Sequence, residues 1–237
     1  MRYGVIADVH GNLAALEAVL ARLEGVDAFV CAGDLVGYGP QPNECIERVA
    51  ALPGLVCVAG NHDLIALGRL GTDRCIPLAR QTLAWTAREL FPSSRDFLAA
   101  LPLEARLEPS ILLAHGSPGD PQEYVRTPER AEELIGALDG DVLVLGHTHE
   151  PWDFEHGGKR LLNPGSVGQS RSRDPRARAL ILDLAPLRAE FLTVDYDAEA
   201  TRRALRERGL PENACHLRPR SWLRRKAGGA ARRVLRR

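Results

Sequence analysis

The sequence has no long apolar run and little that would mark an exported protein. No stretch approaches the roughly 18 apolar residues that a membrane-spanning helix requires. The first residues carry one basic side chain, Arg2, and reach an acidic one at Asp8, so the apolar segment of a signal peptide is missing. We therefore expect no membrane association and no export.

Cysteine is scarce and shows no pairing pattern. The five cysteines are odd in number, lie far apart and form no CxxC pair; they are Cys31, Cys45, Cys57, Cys75 and Cys215. Mostly apolar neighbours favour buried, reduced thiols over a disulfide framework. The cytoplasm is the expected compartment.

The chain has no net charge, because 31 Lys and Arg balance 31 Asp and Glu. Residues 217–237 carry basic side chains without a single acidic one, so the rest of the chain is acidic. A negative body does not favour binding along a phosphate backbone, and we predict no stable nucleic-acid partner. Residues 211–237 are predicted to form a basic, disordered tail.

Hydrophobic residues make up 45% of the 237 residues and charged residues 26%, as in ordinary globular proteins. We predict one domain over residues 1–210. Strand patterns at 3–7, 28–32 and 55–59 alternate with helical spacing at 12–23 and 42–52, which predicts a parallel α/β start. Residues 64–107 show no strand pattern and are predicted to form a helical excursion beside the pocket. Further strands are predicted at 111–114, 142–145, 160–162, 179–184 and 189–194, and further helices at 128–138 and 198–208.

Five of the predicted strands are followed by residues that can bind a metal ion. Because ligands bind beyond the carboxyl ends of strands in an open α/β sheet, we expect these residues to meet at one edge. Imidazole and carboxylate suit transition metals, and seven ligand-type residues exceed the usual four of a structural zinc site. Two ions are therefore expected, held by residues of the five strand ends, which read DVH at 8–10, GD at 33–34, GNHD at 60–63, HG at 115–116 and GHTH at 146–149.

The blocks DVH, GD, GNHD, AHG and GHTH occur in this order, together with YGPQPNE, HGSPGDP and NPGSVGQ. Over residues 1–196 the sequence resembles the calcineurin-like metallophosphoesterase superfamily, in particular its bacterial metallophosphatase or diadenosine-tetraphosphatase-like subgroup. The resemblance implies an α/β fold in four layers: a two-sheet β-sandwich flanked by helices on both outer faces.

The resemblance also implies a role for each residue of the site. Asp8, His10 and His149 would hold one metal, Asn61, His115 and His147 would hold the other, and Asp34 would bridge the two. His62 would stand beside the metals, where it donates a proton to the leaving group or stabilises the transition state, and Asp63 would orient its ring. After NPGSVGQ the chain reads SRSRDPRAR, which is more basic than the PRDGDPRA-like run of relatives. The resemblance therefore assigns no phosphate contact to Arg171 or Arg173.

The predicted function is hydrolysis of phosphodiesters or nucleotide-derived phosphate esters by a metal-bridging hydroxide. The implied cofactors are two divalent transition-metal ions, namely manganese, iron, zinc or nickel, and the partner is a small phosphate-ester or nucleotide substrate. One alternative is hydrolysis of dinucleoside polyphosphates. Another is a non-catalytic metal-binding scaffold, as in the retromer subunit of this superfamily; the presence of His62 favours the enzyme.

Four further positions allow ordinary structural interpretations. Asn12 is predicted to cap the helix that follows it. Tyr38 either lines the site or packs in its loop, and residues 163–166 (NPGS) either shape the pocket or simply form a turn. His156 and His216 are expected to be ordinary surface residues.

Overall fold

The structure, a computed structural model, describes residues 1–216. Its strands are β1 (Arg2–Ile6), β2 (Ala28–Cys31), β3 (Val56–Cys57), β4 (Glu104–Glu108), β5 (Ile111–Ala114), β6 (Val142–Val144), β7 (Trp152–His156), β8 (Lys159–Asn163), β9 (Ala177–Leu184) and β10 (Leu187–Val194). Its helices are α1 (Leu13–Arg22), α2 (Pro42–Ala50), α3 (Asn61–Ala66), α4 (Pro77–Glu89), α5 (Pro92–Ala100), α6 (Pro128–Gly136) and α7 (Ala198–Glu207). The predicted tail of residues 211–237 starts too early, because Ala214 and Cys215 are buried in the core. Its remainder, residues 217–237, lies outside the described residues.

Two five-stranded sheets form the centre of the molecule. The strand order is β10-β9-β1-β2-β3 in the first sheet and β4-β5-β6-β8-β7 in the second. β1, β2 and β3 run parallel, as predicted, and so do β5, β6 and β8. The late hairpin of β9 and β10 is antiparallel.

The sheets pack face to face, and helices cover both outer faces. Between the sheets, Val5 and Val30 of the first share a buried cluster with Leu113 and Val144 of the second. On the outer face of the first sheet, Ile6 and other residues pack against α1, α2, α4, α5 and α7. On the outer face of the second, α6 packs through Ala131 and Ile135. The predicted four-layer fold is confirmed.

The first helix begins as the sequence predicts. The Asn12 side chain accepts the backbone N–H of Ala15 at 3.3 Å, which caps α1. The same side chain donates to the carbonyl of Gly168 at 2.9 Å and accepts the hydroxyl of Thr201 at 2.8 Å. Asn12 thus caps α1 and also joins it to α7 and to the loop after NPGS.

Two strands were not predicted from the sequence. The predicted helical excursion over 64–107 ends too late, because Glu104–Glu108 is strand β4, paired antiparallel with β5 at the edge of the second sheet. Ala105 and Leu107 pack towards the core while charged residues alternate with them, a short pattern typical of an edge strand. β7 was also missed; Gly157 and Gly158, both with positive φ, close its hairpin with β8.

The five cysteines are free, and all but the partly buried Cys75 are buried. No helix within residues 1–216 is long and apolar enough to cross a membrane.

Candidate metal centre

The seven predicted ligands lie together, where strands of both sheets end. Asp8 and His10 follow β1, Asp34 follows β2 and Asn61 follows β3, all in the first sheet. His115 follows β5, and His147 and His149 follow β6 in the second sheet. All seven are buried, none more than 5% exposed. The site therefore lies between the strand ends of two sheets, whereas one edge of a single sheet was expected from the sequence.

Three of the ligands form a first group. The Nε2 atoms of His10 and His149 are 3.2 Å apart. Asp8 Oδ1 lies 3.3 Å from His149 Nε2 and 3.8 Å from His10 Nε2. These three atoms enclose one potential cation position.

A second group surrounds His115. Its Nε2 lies 3.3 Å from Asp34 Oδ2 and 3.1 Å from Asn61 Oδ1, and His147 offers a ring nitrogen to the same group. Asp34 Oδ2 is also 3.6 Å from His10 Nε2 in the first group. One carboxylate oxygen of Asp34 therefore lies between the two groups.

The separations and the unpaired atoms fit two divalent cations. Ions with bonds of about 2.1 Å in tetrahedral or octahedral geometry place neighbouring ligand atoms about 3.0–3.4 Å apart. Within the described chain, Asp8 Oδ1, Asp34 Oδ2 and both ring nitrogens of His147 are buried without a hydrogen-bond partner. Such atoms are costly to bury unless a cation or proton satisfies them. Two ions would satisfy both carboxylate oxygens and one ring nitrogen of His147.

Backbone carbonyls orient three of the histidines. Nδ1 of His10 lies 2.9 Å from the carbonyl oxygen of Val36. Nδ1 of His115 lies 2.6 Å from that of Ala32, and Nδ1 of His149 lies 2.6 Å from that of Gln169. When Nδ1–H donates to a carbonyl, the neutral ring carries its lone pair on Nε2. In all three histidines Nε2 faces the site.

The backbone at the site is held in an uncommon conformation. Six residues other than glycine have positive φ in the described part of the chain, and five are predicted ligands: Asp8, His10, Asp34, His147 and His149, with φ between 50° and 65°. The sixth is Tyr38. Left-handed backbone costs about 1–3 kcal/mol per residue and persists where the surroundings enforce it, often at functional sites. The loops after β1, β2 and β6 thus aim ligand side chains at the expense of backbone energy.

Burial and neighbouring charges shift the pKa values of the predicted ligands in different directions. Burial raises the pKa of Asp8 to about 6. Burial also disfavours the charged forms of Asp34 and His115, but their mutual attraction outweighs it: the pKa of Asp34 falls well below its usual range and that of His115 rises to about 9. His147 differs, because burial and the nearby charge of His115 lower its pKa to about 2. Binding of a cation displaces the proton of a histidine, so metal and proton compete at His115.

His62 lies beside the predicted ligands. Its ring centroid is 4.7 Å from that of His10 and 4.9 Å from that of Tyr38. Its backbone N–H donates to Asp34 Oδ1 at 2.8 Å, and its buried Nδ1 has no partner among the described residues. Burial lowers the pKa of His62. Because its ring nitrogen is within 4.8 Å of ligand atoms of His10 and Asp34, ligation and catalysis are both geometrically open to it.

Asp63 is placed differently from what the resemblance implied. Its Oδ2 accepts the backbone N–H groups of Asp34 and Gly60, both at 2.9 Å, and its Oδ1 accepts that of Val36 at 3.2 Å. Both oxygens are thus bonded to backbone, and neither is hydrogen-bonded to the ring of His62. The predicted role in orienting His62 is wrong as a direct contact; Asp63 instead fixes the loop that carries Asp34.

The NPGS turn, residues 163–166, hydrogen-bonds to the two loops that carry Asp8 and His147. Ser166 Oγ donates to the carbonyl of Asp8 at 2.9 Å. Asn163 Nδ2 donates to the carbonyl of Gly146 at 2.6 Å and to Thr148 Oγ1 at 3.2 Å. Of the two interpretations of this motif, the structure favours the one in which it shapes the pocket.

Two side chains near the site were not predicted. The Tyr124 ring lies 4.0 Å from that of His147, centroid to centroid, and Arg171 donates to Tyr124 Oη at 3.2 Å. Tyr124 comes from a loop that carries no motif, and Arg171 from the basic run in which the chain differs from its relatives. The other two histidines are not part of the site: His156 pairs with Glu132 at the surface, and His216 lies 3.1 Å from the carbonyl of Ser172.

Gly60, the glycine of the GNHD block, leaves room for the carboxylate of Asp34, the predicted bridging ligand. A Cβ at Gly60 would overlap Asp34 Oδ1 and the Asp34 backbone nitrogen, although the φ of Gly60 is ordinary for any residue. Gly60→Ala is therefore expected to destabilise the protein by at least about 2 kcal/mol, since overpacking a tight core costs about 1–3 kcal/mol. That loss would lower Tm by about 4–8 °C for a chain of this size.

Gly136→Ala is the matched control for this prediction. A Cβ at Gly136 meets nothing within 4 Å, and alanine is the better helix former in α6. Its Tm should stay the same or rise. Equal melting temperatures for the two variants would contradict the steric role of Gly60.

Comparison with known proteins places this geometry in a family. The family model described as the calcineurin-like phosphoesterase superfamily domain matches residues 1–185. The crystal structure of a metallophosphoesterase from Sphaerobacter thermophilus is similar, with a TM-score of 0.81 and 37% identity over 91% of this chain and 96% of that one.

Two named relatives are more distant. Phosphodiesterase YfcE of Escherichia coli K12 is 29% identical over 186 residues, which cover 76% of this chain and 87% of YfcE. A symmetrical bis(5'-nucleosyl)-tetraphosphatase of Paracidovorax citrulli is 31% identical over 167 residues, covering 65% of this chain and 59% of that protein.

Proposed function

The chain belongs to the calcineurin-like phosphoesterase superfamily and acts as a hydrolase of phosphate esters, and we propose that it works with two divalent transition-metal ions. The observation that carries this proposal is the position of Asp34 Oδ2, 3.6 Å from His10 Nε2 and 3.3 Å from His115 Nε2. A carboxylate between two groups of imidazoles suits a pair of ions that share it.

Each ion would have its own set of ligands. Asp8, His10 and His149 would hold the first, Asn61, His115 and His147 the second, and Asp34 both. Asn61 fits this assignment because its Oδ1 faces His115 Nε2 at 3.1 Å. When bound, two such ions supply Lewis acidity towards a phosphoryl oxygen and lower the pKa of a water molecule.

The protein's own residues then orient the reaction. Carbonyl contacts fix the rings of His10, His115 and His149, so the ligands need not rearrange on binding. His62, beside His10 and Tyr38, would donate a hydrogen bond or a proton to the leaving oxygen.

Residues around the site would set substrate choice. The N–H of Tyr38 donates to Thr82 Oγ1 of α4 at 3.3 Å, so the helical excursion contacts the loop beside His62. We propose that this excursion shapes substrate preference more than metal binding, and that residues 1–210 act as one metallophosphoesterase domain. The cytoplasmic location stays a prediction.

The preferred substrates are phosphodiesters or nucleotide-derived esters. The likeness to YfcE, named a phosphodiesterase, supports the diester, and the likeness to the symmetrical tetraphosphatase supports the alternative of a dinucleoside polyphosphate. A non-catalytic scaffold is less well supported, because His62 is present and its ring centroid lies 4.7 Å from that of His10.

Reconstitution with defined metals tests the function. Metal-free protein would be loaded with manganese, iron, zinc or nickel, analysed for metal content, and assayed on bis(p-nitrophenyl) phosphate, p-nitrophenyl phosphate, a cyclic nucleotide and diadenosine tetraphosphate. We expect two ions per chain and hydrolysis of at least the diester or the tetraphosphate. Full loading without turnover of any of these esters would favour the scaffold instead.

A further inference from the structure

Arg171 lies next to the metal centre and is held there by three hydrogen bonds. Its Nε donates to Gln169 Oε1 at 3.1 Å, and its Nη1 donates to Tyr124 Oη at 3.2 Å and to the carbonyl of His147 at 3.3 Å. The contact with His147 reaches the backbone of a predicted ligand. Three bonds to three different residues fix the plane of the guanidinium.

The residues that hold Arg171 are themselves fixed. Gln169 is fully buried; its Nε2 donates to the carbonyl of Ala214 at 3.2 Å, which turns Oε1 towards Arg171. The backbone carbonyl of Gln169 accepts Nδ1–H of His149 at 2.6 Å. Tyr124 packs on the ring of His147. Arg171 is thus tied to ligands of both proposed ions.

Nη2 of Arg171 has no protein acceptor within residues 1–216, whereas Nε and Nη1 are occupied. In the same part of the chain no carboxylate forms an ion pair with Arg171. A guanidinium so placed would repel two divalent cations. An anion bound between the guanidinium and the ions would offset this repulsion.

We propose that Arg171 forms an anion subsite of the metal centre, in which Nη2 binds a non-bridging oxygen of the substrate's phosphoryl group. Tyr124 and Gln169 hold the guanidinium in place. The ligand class is a tetrahedral oxyanion, a phosphate ester or inorganic phosphate. This inference rests on the proposed function, because it places the reacting phosphorus at the metal centre.

The test compares Arg171→Ala and Arg171→Lys with Arg173→Ala. Arg173 is exposed two residues further on, so its removal changes net charge equally without touching the site. The dissociation constant of inorganic phosphate would be measured calorimetrically on metal-loaded protein, with metal content and kcat/KM for bis(p-nitrophenyl) phosphate alongside.

Arg171→Ala should weaken phosphate binding about tenfold to a hundredfold, as expected for loss of a charge-assisted hydrogen bond. Its metal content should be unchanged and its kcat/KM should fall similarly. Arg171→Lys should lie between Arg171→Ala and wild type, because lysine keeps the charge without the fixed plane. Arg173→Ala should match wild type.

Three results would overturn the subsite. They are phosphate binding unchanged in Arg171→Ala, an equal loss in Arg173→Ala, or loss of metal in both variants of Arg171, which would make Arg171 a structural residue.

Should Arg171→Ala not fold, Tyr124→Phe removes only one acceptor of the guanidinium and should weaken phosphate binding by severalfold; no change would again overturn the proposal. A wild-type enzyme that hydrolyses no ester but binds phosphate through Arg171 would refute the proposed function and leave the subsite standing.

Discussion

Asp34→Asn is expected to reduce phosphoesterase activity to background and to weaken binding of both metals by more than about a hundredfold. Loss of a residue that only supports a ligand already costs about ten- to a hundredfold in metal affinity or activity, and Asp34 is proposed as a direct ligand. Asparagine keeps the size of the side chain and one oxygen for the N–H of His62. Its amide nitrogen has no lone pair for a metal where Oδ2 lies between His10 and His115.

Metal content decides whether Asp34 is shared. Elemental analysis after gel filtration would be compared for Asp34→Asn, His147→Ala and the control Asp183→Asn, whose side chain pairs with Arg2 at the surface. His147 belongs only to the second group, so His147→Ala should lose one ion and activity while the first ion stays. Retention of two ions with full activity in Asp34→Asn would disprove the shared carboxylate.

Much of this site could be predicted because its residues lie in short blocks directly after strands. A strand end fixes where the next residue emerges, so Asp8, Asp34 and His115 could each be placed at the carboxyl end of a strand from their neighbours in sequence alone. The left-handed backbone of the ligands could not be foreseen. It depends on the loops packing against each other, as where Gly11 donates to the carbonyl of Leu35 at 2.9 Å.

The errors have a common physical origin in long-range contacts. Asp63 follows His62 in sequence, yet α3 turns its carboxylate back to the backbone of Asp34 and Val36. Arg171 reaches Tyr124 across 47 residues of sequence, and neither position carries a motif. Local pattern therefore predicted which blocks lie at strand ends, whereas the contacts of Asp63 and the position of Arg171 required the tertiary structure.

His62→Ala should keep both metals and slow hydrolysis of a diester with a poor alkoxide leaving group by about a hundred- to ten-thousandfold. This is the range typical of a positioned general acid. The same variant should slow bis(p-nitrophenyl) phosphate much less, because nitrophenolate leaves without protonation. Asn61, the preceding residue, already faces His115, so adjacent side chains point to different parts of the site.

The competing interpretation of His62 is ligation, since its ring nitrogen lies within 4.8 Å of ligand atoms of His10 and Asp34. His62→Asn separates the two interpretations: asparagine offers an oxygen to a metal but cannot donate a proton as an acid. If His62 is the acid, both variants should bind two ions and show the same dependence on the leaving group. If it is a ligand, His62→Ala should lose an ion that His62→Asn partly retains, and both substrates should slow equally. His156→Ala, which removes an exposed imidazole far from the ligand groups, should leave metal content and both rates unchanged. The ratio of the two rates, measured beside metal content on the same preparations, therefore identifies the role of His62.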